Sequence, residues 1–224
     1  MPLLVGVSKA VVVAVFYLHG FVSSPRSTKV QYFMQMLGRL GVEVRCPDLN
    51  EPDFRTLTMT RMLEQLGAEL AGAVGASTLI GSSLGGTLAI LAAARFAPRV
   101  ARLVLLAPAV MFGDPEHHLL SRDQIAVWRQ RGEYEFFHYG YGEPRVLSYG
   151  FYEDSLTYDT FGTLFTQPAL IFQGRRDALV DATDVDRFAA VRPNTSLTLL
   201  DDDHQLVASL SRIWNNVQPF LELK

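Results

Sequence analysis

The stretch Gly81-Ser82-Ser83-Leu84-Gly85 has the spacing Gly-x-Ser-x-Gly, and Gly86 follows it. A serine hydroxyl becomes an exposed nucleophile when it sits on a very tight turn from a strand into a helix. Side chains two positions to either side would collide there, and Gly81 and Gly85 remove them. The helix beyond points its free backbone N–H groups and the positive end of its dipole at the place where negative charge develops during acyl transfer. Ser83 is therefore the candidate nucleophile; the alternative is a glycine-rich turn carrying a solvated serine. A hydroxyl is a poor nucleophile at neutral pH and needs a base within hydrogen-bond reach, together with a third group that fixes the base's tautomer. Asp177 and His204 follow Ser83 in the order nucleophile, acid, histidine, which is the order this kind of sheet supplies. Asp181, Asp154 and Asp159 are rival acids, with Asp181 read as a helix cap. His204 has no rival after the last predicted strand, and Asp201, Asp202 and Asp203 read as a solvated acidic turn.

These residues need elements to hold them. Ala10 to Leu18 is almost wholly β-branched or aromatic without alternation, the pattern of a central strand buried on both faces. It is too short to span a bilayer and lacks the flanks of a signal peptide. Met1 to Ser8 reads as a short edge strand or surface packing. His19-Gly20-Phe21 follows at the carboxyl end of the central strand, where open α/β sheets place their sites. The backbone N–H groups of Phe21 and Leu84 are the candidate oxyanion donors, and His19 is read as held beneath the loop by hydrogen bonds. Further strands are expected at Val42 to Cys46, Ala76 to Ile80, Val100 to Leu106, Ala169 to Gln173 and Ser196 to Leu200. Helices are expected over about 29–40, with Ser27 or Thr28 as its cap, then 58–74, 84–96, from Asp181 to Val191, and a closing helix to about Leu221. Such alternation means a parallel sheet with right-handed crossovers. Ser83, Asp177 and His204 each follow a predicted strand by a few residues, which puts all three on one edge of the sheet.

Between Ala109 and Phe165 the composition shifts: 13 of the 24 aromatic residues lie there. The segment is expected to be an inserted cap, 109–165, with the core formed by 1–108 and 166–224; the alternative is a packing excursion that buries the aromatics on the sheet. Ser121 and Gln124 make a capping box for a helix through Trp128 to Gln130, and irregular backbone without a strand is expected beyond it. Phe112, Trp128, Phe136 and Phe137 are the candidate pocket walls. His117, His118 and His138 are read as solvated or packing residues, since they lack metal-site spacing and acidic partners.

At 224 residues the chain has room for one well-buried α/β domain, and a formal net charge of −3 offers no footprint for nucleic acid or an anionic membrane. Cys46 is the single cysteine, which excludes an internal disulfide and favours a reducing, cytoplasmic location. No cofactor and no metal is expected.

Over essentially its full length the chain resembles the α/β-hydrolase superfamily. Tyr17-Leu18-His19-Gly20-Phe21 with Ser23-Ser24-Pro25, Ser27 and Lys29, and the run Gly81 to Gly86, is similar to the small YqiA-type esterases. The resemblance implies an α/β-hydrolase fold, with a mostly parallel sheet of about six strands and helices on both faces, and Ser83, Asp177 and His204 as triad with Phe21 and Leu84 as oxyanion donors. The long aromatic segment departs from it. The expected activity is that of a serine carboxylesterase acting on small, short-acyl carboxylic esters, with a small-molecule ester as its partner. A thioesterase or carbon–carbon bond hydrolase with the same triad, and a non-catalytic ligand-binding protein, are the alternatives.

Overall fold

The computed structural model describes residues 14–222 apart from His118. The expected edge strand at Met1 to Ser8 and the first residues of the run beginning at Ala10 lie outside the described residues. The main sheet contains β1 (Val15–Leu18), β2 (Val44–Arg45), β3 (Ser77–Ser82), β4 (Val100–Leu106), β7 (Ala169–Gly174) and β8 (Thr195–Leu200). They lie in the order β2-β1-β3-β4-β7-β8, and every neighbouring pair is parallel. This is the six-stranded, helix-covered sheet of an α/β-hydrolase.

The central strands lack alternation because both of their faces are buried. Phe16 and Leu18 of β1, with Leu103 and Leu105 of β4, face a core shared with α2 (Met59–Gly72), α3 (Leu84–Arg95) and α6 (Ala182–Ala190). Val15 and Tyr17, with Val104 and Leu106, face a second core under α1 (Thr28–Gly38) and α7 (Leu210–Phe220). Thr58 caps α2 by accepting from Arg61 N at 3.0 Å. Ser27 holds the cap position of α1, but its side chain makes no capping hydrogen bond. Among the described residues no helix is long and apolar enough to cross a membrane.

Between β4 and β7 the chain forms a 3-10 turn at Pro115–His117, α4 (Arg122–Arg131), a hairpin of β5 (Glu133–His138) and β6 (Glu143–Ser148), and α5 (Gly150–Ser155). The expected capping box is present, with Ser121 and Gln124 bonding each other's backbone N–H. The expectation of irregular backbone without a strand is overturned by the antiparallel hairpin, whose register runs from Glu133↔Ser148 to His138↔Glu143. Its first strand alternates polar and aromatic residues, so it carries no continuous apolar run.

The segment is fastened to the sheet layer at several places. Asp154 accepts from Thr60 N at 2.9 Å and from its hydroxyl at 2.6 Å, tying α5 to α2. Gly140, at the hairpin tip, donates to Val22 O at 3.2 Å. Asn50 donates to Ser23 O at 2.8 Å and accepts from His138 Nε2 at 3.2 Å, so one side chain joins the hairpin to the loop after β1. His138 is fully buried and its ring stacks on Tyr141 at 4.0 Å.

Candidate active site

Ser83 occupies the turn between β3 and α3 with φ 53° and ψ −117°, a conformation that a residue with a side chain rarely adopts and that costs about 1–3 kcal/mol to hold. The surroundings hold it from both sides. Its N–H donates to Leu106 O at 3.0 Å, while its carbonyl accepts from Gly86 at 2.8 Å, Thr87 at 3.1 Å and Ala109 at 3.3 Å. The flanking glycines are needed for space: a Cβ on Gly81 would lie 2.7 Å from the carbonyl carbon of Gly85, and one on Gly85 would lie 2.5 Å from that of Leu18.

The loop after β1 passes directly beside the serine, with the Cβ position of Gly20 only 3.4 Å from Ser83 Cβ. His19 anchors this loop from below. It is almost fully buried, its Nε2 accepts from Leu49 N at 3.0 Å, and its Nδ1 lies 2.9 Å from Gly20 O. Acceptance at Nε2 puts the proton on Nδ1, which then donates to Gly20 O; this is the buried supporting role expected for it. Phe21 and Leu84 both line the cavity at Ser83. As the first residue of α3, Leu84 has a backbone N–H with no acceptor within its own helix.

Asp177 lies in the turn after β7 with its side chain fully buried, and His204 lies in the turn after β8. His204 Nδ1 is 2.8 Å from Asp177 Oδ2. An ionised carboxylate only accepts, so Nδ1 carries a proton, and in the neutral imidazole the lone pair is then at Nε2. The other oxygen, Oδ1, accepts from Leu179 N and Val180 N, each at 2.9 Å. Burial alone would raise the Asp177 carboxyl; the His204 hydrogen bond and charge, with the two backbone N–H groups, outweigh it and hold the group below the ordinary carboxylate range. Asp181 instead caps α6, accepting from Thr183 N at 2.8 Å. Asp154 is taken up by Thr60, and Asp159 accepts from Gly162 N at 2.8 Å. In the acidic turn Asp202 is buried rather than solvated, accepting from Ser209 N at 2.9 Å.

Two residues at this site were given no role by the sequence, although Lys29 is among those that carry the family resemblance. Gln173, fully buried at the end of β7, donates to Asp177 Oδ2, the oxygen that faces His204, at 2.9 Å. Lys29, on the first turn of α1, buries its ammonium and donates to the backbone carbonyl of His204 at 3.3 Å. A polar residue ending a strand otherwise made of apolar side chains was the available signal for Gln173.

Ser83, Asp177 and His204 open into one cavity of about 1220 Å³, which Phe112, Trp128 and Phe136 also line. Phe137 does not. It is 51% exposed and packs on Tyr139, because side chains alternate along β5 and Phe136 takes the inward position. Trp128 is fully buried, donates from its indole N–H to Leu147 O at 3.0 Å, and meets Phe136 edge-on at 5.5 Å. The Phe21 ring stacks on Phe151 at 5.3 Å and meets Phe136 edge-on at 5.1 Å, which joins the aromatic wall to the loop beside Ser83. His117 also lines the cavity and, against the sequence expectation, has acidic partners: Asp114 at 3.2 Å and Asp184 at 3.4 Å. Asp114 and His117 share one turn while Asp184 lies on α6, and among the described residues no group of three or more such side chains is arranged to hold a metal ion.

The profile of the family described as Uncharacterised protein family UPF0227 matches residues 14–222. The chain belongs to the UPF0227 family. Solved α/β-hydrolase structures superpose on nearly all of it. Est1E from Butyrivibrio proteoclasticus, solved with ferulic acid bound, shares 22% identity with a TM-score of 0.81, over 94% of this chain and 89% of that one. Alpha/beta hydrolase domain-containing protein 10 from mouse shares 19% identity with a TM-score of 0.78, over 93% of this chain and 89% of that one. The monoacylglycerol lipase of Paleococcus ferrophilus shares 13% identity with a TM-score of 0.75, over 93% of each chain. At these identities the likeness speaks for the α/β-hydrolase fold. Among curated proteins nothing matches the chain.

Proposed function

We propose that the protein is a serine hydrolase that cleaves carboxylic esters through an acyl-enzyme. One observation carries the reading: the His204 imidazole is held at 2.8 Å by a buried carboxylate, in the same cavity as a serine on a strained strand-to-helix turn. Ser83 Oγ attacks the ester carbonyl while His204 Nε2 takes its proton, and the developing imidazolium is balanced by Asp177. The Phe21 and Leu84 N–H groups receive the oxyanion. The tetrahedral intermediate then collapses, its C–O bond to the alcohol breaks, and His204 returns the proton to the departing oxygen. A water, deprotonated by the same imidazole, attacks the acyl-serine and releases the acid.

In this proposal residues 109–165 act as a cap that walls the acyl side with Phe112, Trp128, Phe136 and Phe151. The cavity bears on the expected short-acyl preference. At about 1220 Å³ it exceeds the roughly 300–1,000 Å³ of ordinary small-molecule pockets, which favours acyl groups longer than the short ones expected from the sequence. The bound ferulic acid of Est1E supports an aromatic acid as one product that such a space can hold.

Labelling by a fluorophosphonate probe tests the reading. The wild-type chain is expected to label and Ser83→Ala is not; equal labelling of the two would refute Ser83 as the nucleophile. A panel of esters and thioesters of matched acyl groups then ranks the substrate class, and turnover of neither would leave a binding protein on the same fold.

A further inference from the structure

Lys29 has no part in the chemistry derived above, yet its position calls for an explanation. It is 7% exposed, and it sits in the first turn of α1, where the helix dipole is positive. Burial and dipole both oppose a cation there, and a methionine or leucine of similar length would fill the same space without that cost. What offsets it is local. Its Nζ donates to the His204 carbonyl at 3.3 Å, and Asp177, Asp203 and Asp202 all act on its charge. A flexible side chain of α1 therefore meets the turn after β8 where the base is held, within range of the charge on Asp177.

We propose that Lys29 is a positioning residue of the hydrolytic site: its ammonium fixes the His204 backbone and balances the Asp177 carboxylate, so that the imidazole is presented to Ser83 in one orientation. The inference rests on the reading of Ser83, His204 and Asp177 given above. Its consequence is a requirement for charge at Lys29. Burial, opposed by Asp177, Asp203 and Asp202, brings the ammonium down to about 8, so the cation is lost over the mildly alkaline range. The groups facing it are those three carboxylates and His204. Arg26 on its own segment and Arg175 after β7 line the same cavity. Tyr17 of β1 stays neutral there because burial raises its hydroxyl far above the ordinary value.

The test measures kcat and KM between pH 5 and 10 on a p-nitrophenyl ester, corrected for spontaneous hydrolysis, for the wild type, Lys29→Met, Lys29→Arg and Ser83→Ala. The wild type is expected to lose kcat/KM above about pH 8. Lys29→Met should lower kcat by about 10- to 100-fold with KM within about twofold, since orientation rather than binding is lost. Its acidic limb should move upward by about half a pH unit or more, because removing a nearby cation favours protonation of the imidazole. A side chain that merely filled space would leave both limbs where they are. Lys29→Arg, a permanent cation, should keep activity beyond pH 9. Wild-type kcat and unmoved limbs in Lys29→Met would overturn the inference while leaving the site reading intact. Hydrolysis unaffected by Ser83→Ala would overturn both. Should Lys29→Met fail to fold, Lys29→Arg decides, and an alkaline limb still near pH 8 in that variant refutes the role.

Discussion

Replacing Gly85 by alanine tests how tightly the nucleophile turn is built. A Cβ there would lie 2.5 Å from the carbonyl carbon of Leu18 and 2.8 Å from the carbonyl oxygen of His19. Carbon atoms in good contact are about 3.5–4.0 Å apart, so the backbone at the end of β1 and the start of α3 must separate by about 1 Å. No side chain can rotate away to relieve this, because the atoms met are backbone. The overpacking should cost about 2 kcal/mol, which for a chain of this length lowers Tm by about 4–8 °C. The segment pushed aside carries Phe21 N–H, and a displacement of that size at this proposed oxyanion donor should reduce kcat/KM by about 100-fold. Gly38→Ala is the control. At the end of α1 its new methyl meets nothing within 4 Å, so Tm should rise slightly, by the equivalent of about 0.5 kcal/mol, with activity unchanged. The measurements are thermal unfolding by circular dichroism and initial rates on p-nitrophenyl acetate. A Gly85→Ala protein with wild-type Tm and rate would refute the close approach and the placement of Phe21 that depends on it.

Other expectations follow from the same geometry. Asp177→Asn should remove most of kcat, since only that carboxylate holds the His204 tautomer, whereas Asp181→Asn keeps a good helix cap and should leave the rate within about twofold; the reverse ranking in a rate assay would move the acid to Asp181. The buried Asp177 carboxyl is depressed in the folded state, so its contribution to stability is complete above the ordinary carboxylate pKa of about 4 and is lost as pH falls below it. The neutral His138, lowered chiefly by burial, adds a loss that begins as pH falls through about 6.5, where the unfolded chain takes up the proton first. Urea midpoints between pH 7 and 3 should therefore fall in both ranges, and a flat midpoint would contradict these shifts. In a p-nitrophenyl ester series kcat/KM should keep rising well past butyrate, by about 0.8 kcal/mol per buried methylene; a sharp optimum at acetate or propionate would show that the cavity is constricted. Burial pushes the Cys46 thiol up to about 12, so alkylation by iodoacetamide at pH 8 should be slow, and rapid labelling followed by mass spectrometry would contradict it.

The main sheet was legible in the sequence because central parallel strands are apolar on both faces, and Val100 to Leu106 has just the extent of β4. Strand β2 shrank to Val44–Arg45 because an edge strand pairs on one side only. The hairpin was missed for the opposite reason: Glu133-Tyr134-Glu135-Phe136 alternates solvent and core positions, so its signal is a period of two and not a run of apolar residues. Overlooking that period also misassigned Phe137. Ser83, Asp177 and His204 could be nominated because each follows a strand end, a local property. Lys29 and Gln173 act through contacts between segments far apart in the chain, and residue type alone does not reveal that a particular lysine is buried against a turn 175 residues away.

Strands β4 and β7 are direct neighbours, with Leu103 opposite Ala169 and Leu106 opposite Phe172. Because the two strands are parallel, the stretch between them leaves the carboxyl end of β4 and crosses over to enter at the amino end of β7, where Leu103 N is bonded to Pro168 O at 3.0 Å. Loop closure is already provided by the strand pairing, and lengthening such an excursion adds only about 0.6 kcal/mol per doubling. Natural variation or laboratory grafting can therefore exchange the part of the segment beyond Ala109, whose N–H supports Ser83 O at 3.3 Å, while the turns after β7 and β8 stay in place. On the proposed reading, taste in substrates and capacity for hydrolysis can diverge at different rates along one chain, the first written in the excursion and the second at the carboxyl ends of β3, β7 and β8.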